Sequence, residues 1–246
     1  MVAGPSGQGL HDYVTTEIGR RIVRGEYHPD SSLPIEGRLV TEFGVSRATL
    51  REALRTLRGK GLIETVTRRG SRVRPEHEWH LLDPQVLGWR YESPARNQDL
   101  DDLMQVRLIL EPAAARLAAK TRSPQMVASM HMALDKMRAS VRDTEAFIEA
   151  DLEFHAAIFL ATGNSILIHV NSMMGVAMAA HRHLHTRSQR RHRATMSEHR
   201  EVLRAIEERQ PRQAEKALRE LIEAAQRDVL HYTGRATQSG ARRSGP

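Results

Sequence analysis

The sequence predicts a mainly α chain of two domains: an N-terminal helix-turn-helix with a hairpin attached, then a C-terminal all-α antiparallel helical bundle. Three observations lead there. Residues 33–75 read as a short helix, a tight turn, a basic second helix and a basic hairpin. From Asp99 to Thr233 apolar residues recur at three- and four-residue spacing, and no strand-like alternation interrupts them. Aromatic residues make up only 4% of the 246, so the cores must be built from Leu, Ile, Val, Ala and Met, as in most bundles.

In chain order, residues 11–25 place Tyr13, Val14, Ile18, Ile22 and Val23 at helical spacing and stop at Gly25, a first helix packed beneath the next two. Pro34 opens a short helix carrying Leu39, Val40 and Phe43. Gly44 supplies the corner, and the Ser46 hydroxyl caps a second helix running toward Lys60. On that helix Leu50, Ala53, Leu54 and Leu57 must face a core, which leaves Arg47, Arg51, Arg55 and Arg58 on the opposite side. Between Ser46 and Arg74 there are nine Arg or Lys against two acids, an excess equal to the formal +7 of the whole chain. The basic character is therefore a local patch, of the kind that neutralises a phosphate backbone and releases its counterions.

Two short strands around Gly61–Glu64 and Gly70–Val73, with Thr67-Arg68-Arg69-Gly70 as the tip, complete a winged helix-turn-helix. The residues Pro34, Glu36 and Leu39, the run Phe43–Leu54 (FGVSRATLREAL) and the run Gly61–Val73 resemble the DNA-binding domain of GntR-type bacterial transcription regulators. The resemblance implies that Ser46, Arg47, Thr49 and Arg51 meet the operator and that Arg68, Arg69 and Gly70 touch the minor groove or its phosphates. Arginine's planar fork suits guanine O6 and N7, so Arg47 and Arg51 are the expected base readers and Ser46 and Thr49 the phosphate contacts. Many members of the fatty-acid-responsive branch carry an arginine two places before the helix-2 leucine; this chain has Gly37 there, with Arg38 beside it.

The remaining bounds exclude several classes. There is no cysteine, hence no disulfide and no thiolate metal site. The opening residues lack a secretory pattern, and no stretch approaches the roughly 18 apolar residues of a membrane helix, so a cytoplasmic protein with no membrane partner is expected. Residues 76–98 hold two prolines and a glycine amid Trp79, Leu81, Leu82, Val86, Leu87 and Trp89. They form an apolar linker expected to dock the first domain (10–75) onto the next or onto a partner. Its WxLLDPxVLxW pattern resembles GntR-type repressors responding to sugar acids such as galactonate. The ends, Met1–Gly9 and the 234–246 tail, are rich in small and polar residues and are expected to be disordered.

The second domain, 99–233, reads as helices near 99–120, 124–142, 145–162, 164–186, 195–209 and 211–232, with breaks at Ser123-Pro124, Gly163-Asn164 and Gln210-Pro211. Residues Val106–Ala119, Asp151–Asn164 and Glu198–Leu218 resemble the FCD effector-binding and dimerisation domain of the same regulators. Asp151 and His155, four apart, project from one helix face and can grip one divalent cation. In the FCD pattern two later histidines join them. His199 stands at the first of these positions, and Leu221 occupies the second, where it cannot ligate. Either Asp151, His155 and His199 hold a divalent metal such as zinc (Zn) whose shell an effector completes, or the metal is lost and they hydrogen-bond a small molecule directly. The second reading is preferred, since losing a ligand removes the geometry that secures affinity.

Arg107 lies beside an apolar stripe and needs an anion, either an effector carboxylate or an internal acid such as Glu111 or Asp151. Asn164 caps the next helix, lines the cavity, or does both; Arg227 faces the cavity or solvent. His181, His183 and His185 alternate along a helix and so do not share one face, and residues 181–193, rich in His and Arg, read as a solvated helix end and loop. The expected protein is a homodimeric repressor released from a palindromic DNA operator by a small carboxylate, a sugar acid above all, with no catalytic residues. The rivals are a metal-dependent enzyme using Asp151, His155 and His199, and an architectural DNA binder with an inert second domain.

Overall fold

A computed structural model describes residues 7–67, 70–92, 97–185 and 189–232, which form two compact units, residues 1–92 and 93–246. The 234–246 tail, Met1–Ser6, Arg68 and Arg69 lie outside the described residues.

The first unit starts with α1 (Gly7–Val23), whose Val14, Ile18 and Ile22 are fully buried while Tyr13 is exposed and meets Phe43 edge-on. Helix α2 (Glu36–Phe43) ends as its sequence dictates. Gly44 takes the left-handed conformation at φ 63° and its N–H closes on Val40 O. Helix α3 (Arg47–Gly59) begins with Ser46 Oγ accepting from Thr49 N at 3.1 Å, and buries the four apolar residues expected of it. Strands β1 (Ile63–Val66) and β2 (Gly70–Val73) pair antiparallel with Ile63 opposite Val73, both buried against Leu57 and Leu62. Gly70 opens β2 at φ 81°, a conformation that side chains rarely adopt.

The stretch read as a linker contains a helix of its own. Helix α4 (Pro84–Tyr91) starts at Asp83, whose side chain accepts from the amides of Gln85 and Val86. Burial pushes the Asp83 carboxyl up, but the Lys60 ammonium at 2.8 Å and those amides outweigh it and hold it below its ordinary range. Trp79, Val86 and Trp89 join the core of this first unit, whereas Leu82 is exposed and docks nothing within it. Trp89 lies directly on α1 at Gly19, where an added Cβ would stand 2.3 Å from the indole ring. Gly19→Ala should therefore lower the urea midpoint followed by tryptophan fluorescence. Overpacking costs about 1–3 kcal/mol and exceeds the roughly 1 kcal/mol that alanine adds in a helix interior. An unchanged or raised midpoint would show that the ring is not seated there.

The second unit is all helix: α5 (Asn97–Thr121), α6 (Pro124–Ala139), α7 (Thr144–Ala161), α8 (Ser165–His185), α9 (Gln189–Glu207) and α10 (Pro211–Tyr232). The breaks fall where proline and glycine place them, and Ser123 and Asp143 cap α6 and α7. Helix α9 begins six residues earlier than the spacing suggests. Part of the His- and Arg-rich stretch is therefore helical, and its His192 is fully buried, stacked on Phe147 with ring centroids 4.2 Å apart, rather than solvated. Helix α7 forms the heart of the core: Phe147, Phe154, Ile158 and Phe159 are each at most 3% exposed, with the aliphatic faces of α5, α6, α9 and α10 around them.

Candidate functional site

Arg47, Arg51, Arg55 and Arg58 form one exposed face of α3, opposite its buried leucines. Ser46 and Thr49 hydrogen-bond each other at 2.9 Å, and both lie at the N-terminal turn of α3, where unsatisfied amides favour an anion. Arg51 Nε donates to Glu36 Oε2 at 3.1 Å, and Arg58 Nη1 donates to Thr65 Oγ1 at 2.7 Å, tying α3 to the hairpin. Gly70 is exposed on that hairpin, with open space where a side chain would be. A helix with an exposed cationic face and a two-stranded ribbon beside it can enter a major groove while the ribbon follows the adjacent backbone.

The second unit holds a polar cluster inside its apolar core. Arg107 and Glu111 on α5, Asp151 and His155 on α7, and His199 on α9 are all at most 8% exposed. Arg107 Nε donates to Glu111 Oε1 at 2.7 Å, so the internal acid is the partner in this structure. The other Glu111 oxygen stands 2.6 Å from His155 Nδ1. His199 Nε2 lies 2.9 Å from Asp151 Oδ1, and His155 Nε2 lies 3.9 Å from the same atom. Phe154 packs edge-on against His199, with ring centroids 4.9 Å apart, and closes the apolar wall.

The backbone orients His199: its Nδ1 is 2.8 Å from the Thr195 carbonyl, which can only accept, so Nδ1 carries a proton and the Nε2 edge is turned toward Asp151. His155 Nδ1 and Glu111 Oε2 form a close ion-pair contact without hydrogen-bond alignment, so the contact assigns no tautomer to His155. Asp151, His155 and His199 each offer one ligand atom to a common space, all within 4.8 Å of one another. Three converging ligand atoms, with His199 held by the Thr195 carbonyl, fit a divalent cation such as zinc. Leu221 is 3% exposed in the apolar core, so among the described residues the set has three protein ligands, and a bound cation would keep a position for a ligand oxygen and polarise it.

The other expected residues are not in this cluster. Asn164 is exposed and caps α8, its Oδ1 accepting from Ile166 N at 3.0 Å and Leu167 N at 3.2 Å. Arg227 is exposed on α10. Glu111, which joins Arg107 to His155, is the residue that the spacing pattern does not single out as a site residue. Among the described residues no helix is long and apolar enough to cross a membrane.

A family model described as bacterial regulatory proteins, gntR family, matches residues 10–73, and one described as the FCD domain matches residues 102–224. The chain is 32% identical over 223 residues to the galactonate operon transcriptional repressor of Escherichia coli (strain K12), covering 90% of this chain and 97% of that protein. It is 28% identical over 212 residues to the transcriptional repressor NanR of Klebsiella aerogenes, covering 85% and 81%. Two solved structures have a similar fold. One is that of Lar from Listeria monocytogenes, with a TM-score of 0.65 at 18% identity over 93% of this chain and 99% of that one. The other is McbR/YncC of E. coli, with a TM-score of 0.53 at 20% identity over 94% and 99%.

Proposed function

Because the chain belongs to the GntR family of bacterial regulatory proteins and carries an FCD domain behind its winged helix, we propose that it is a cytoplasmic homodimeric repressor. In this reading a sugar acid releases it from a palindromic operator. The observation that carries the reading is one chain holding two separate devices: an exposed arginine face on α3, and a buried polar cluster of Arg107, Glu111, Asp151, His155 and His199.

On the DNA side, Arg47 and Arg51 read base edges, Ser46 and Thr49 hold phosphates, and Arg68, Arg69 and Gly70 follow the minor groove at the wing. Two recognition helices at a fixed separation read two half-sites, which requires a second copy of the chain. The outward stripe of α8, with Ile166 73% exposed, Val176 45% exposed and Val170 and Met173 half-buried between them, is the apolar face offered for that pairing.

On the effector side, Arg107 attracts the carboxylate, and a divalent cation held by Asp151, His155 and His199 takes a carboxylate or hydroxyl oxygen at its remaining position. An α-hydroxy acid supplies both groups on adjacent carbons, and the name of the E. coli relative points to an aldonic acid. The ligand must favour the arrangement of the two winged units that does not span the half-sites, since without differential affinity it moves nothing. Asn164 and Arg227 lie apart from the cluster and serve, respectively, as a helix cap and a solvent-facing cation.

The test is a fluorescence-anisotropy titration on a duplex selected by the protein from random sequence. Two protomers should bind per duplex, and D-galactonate or another aldonate should release them. Stoichiometric binding that no aldonate shifts, with or without zinc, would overturn the sugar-acid reading.

A further inference from the structure

The four arginines on the outer face of α3 are not held alike. Arg47 makes no hydrogen bond or ion pair to another described residue. Arg55 pairs with Glu52 of its own helix at 3.3 Å, and Arg58 donates to the neutral Thr65 hydroxyl. Among the described residues, Arg51 alone of the four is tied to a charged group on another helix. Its Nε donates to Oε2 of Glu36, the first residue of α2, at 3.1 Å. Its terminal nitrogens, Nη1 and Nη2, have no partner among the described residues. Both residues line the cleft between α2, α3 and the hairpin, together with Arg55, Arg58 and Gly70, so the carboxylate stands within the cationic face.

Both side chains are exposed, and such a pair adds little to the stability of the fold. A carboxylate in that place also repels the phosphates of every duplex alike. What it can improve is orientation. We propose that Glu36 is a positioning residue for base reading: by holding Nε of Arg51 it leaves the Nη1/Nη2 fork for the groove, which sharpens the choice of guanine at one base pair of each half-site while weakening duplex binding in general. The inference rests on reading Arg51 as a base contact.

Guanine O6 and N7 are matched by two parallel N–H groups. An arginine can offer them from its terminal fork or from its Nε edge, and a carboxylate on Nε removes the second choice. The same contact restrains a long side chain before DNA arrives, so less rotamer freedom is lost on reaching the base. Without Glu36, the guanidinium is free to swing onto a phosphate, which carries no sequence information.

The test is fluorescence anisotropy of the full chain on a duplex it selects from random sequence, on a panel with each base pair of that duplex replaced singly, and on random duplex. Arg51→Ala should flatten the preference at one base pair per half-site. Glu36→Ala should lower the preference at that same pair about 3- to 10-fold per half-site. It should also raise affinity for random duplex about 2- to 5-fold and steepen the slope of log K against log salt by up to about 0.9, as Arg51 turns to a phosphate. Glu36→Gln keeps an acceptor for Nε without the charge, so it should share the gain on random duplex and retain more of the preference than alanine does. In the Arg51→Ala background, Glu36→Ala should change the preference no further.

A merely structural Glu36 would weaken all duplexes together. Glu36→Ala with an unchanged preference at the Arg51 base pair, or with lowered affinity for random duplex, overturns the proposal. A further loss at that pair in the Arg51→Ala background also overturns it, since Glu36 would then touch DNA itself, as a carboxylate can at cytosine N4. If Arg51→Ala flattens no base pair, the reading of Arg51 as a base contact falls and takes the proposal with it. If Arg51→Ala flattens one and Glu36→Ala does not, the reading stands and the proposal alone is lost.

Discussion

Replacing Arg47 and Arg51 together by alanine is expected to lower affinity for the operator at least about 30-fold, because each guanidinium reading a guanine contributes roughly 1–3 kcal/mol of discrimination. Both side chains are exposed on α3, so the fold should be left within about 0.5 kcal/mol of the wild type. The Glu36–Arg51 ion pair lost in the variant is solvent-exposed, with side chains 45% and 67% accessible, and such pairs contribute about 0–1 kcal/mol. Salt dependence separates base reading from phosphate binding. If the two arginines read bases, the ratio of operator to random-duplex affinity collapses. If they only neutralise phosphates, all duplexes weaken alike and the slope of log K against log salt flattens by about 0.9 per lost contact. Anisotropy on operator and random duplexes at several salt concentrations measures both. A preserved ratio together with a preserved slope would remove the two residues from the interface. The response of the second unit to ligand, read by thermal shift, should be untouched.

The reading unit was legible because its signals are local. Gly44 can adopt a left-handed corner, Ser46 can cap, and four arginines at three- and four-residue spacing must share the face opposite four buried apolar residues. Each statement concerns residues within a few helical turns of one another, where sequence and structure are nearly the same thing. Helix α4 was hidden because Pro, Gly and two aromatic residues in eight positions look like an interrupted loop, although Asp83 followed by Pro84 is a helix start in its own right. What forms it is Trp89 meeting Gly19, a contact between residues seventy positions apart that no window reveals.

The buried cluster was legible in part. Asp151 and His155 fall on one face by spacing alone, but that Arg107 and Glu111 point inward together, and that Glu111 reaches His155, depends on α5 lying against α7. An Arg and a Glu four apart on a helix ordinarily read as a surface pair. At Asn164 and Arg227 the spacing leaves inside and outside open; Asn164 caps α8 and both residues are exposed.

Asp151→Ala is expected to leave the operator affinity unchanged and to abolish release by ligand, giving a repressor that no longer responds. Asp151 is 8% exposed and is the acceptor facing both histidines, 2.9 Å from His199 and 3.9 Å from His155. Removing it should cost on the order of 3 kcal/mol, the low end of what breaking a buried pair costs. Asp151→Asn keeps the volume, restores a hydrogen-bonding partner and costs less stability, yet still removes the anionic donor, so both variants should fail to respond while differing in thermal midpoint. Linkage supplies the stricter test. If a ligand weakens operator binding by some factor, the operator must weaken ligand binding by the same factor, with about 5- to 150-fold being usual for coupled sites. In the wild type the two factors should agree. In Asp151→Asn both should fall to one, even where residual ligand binding through Arg107 is still detectable by calorimetry. A variant that loses ligand-induced release but still shows operator-dependent ligand affinity would break that equality and place the coupling outside the Asp151 cluster.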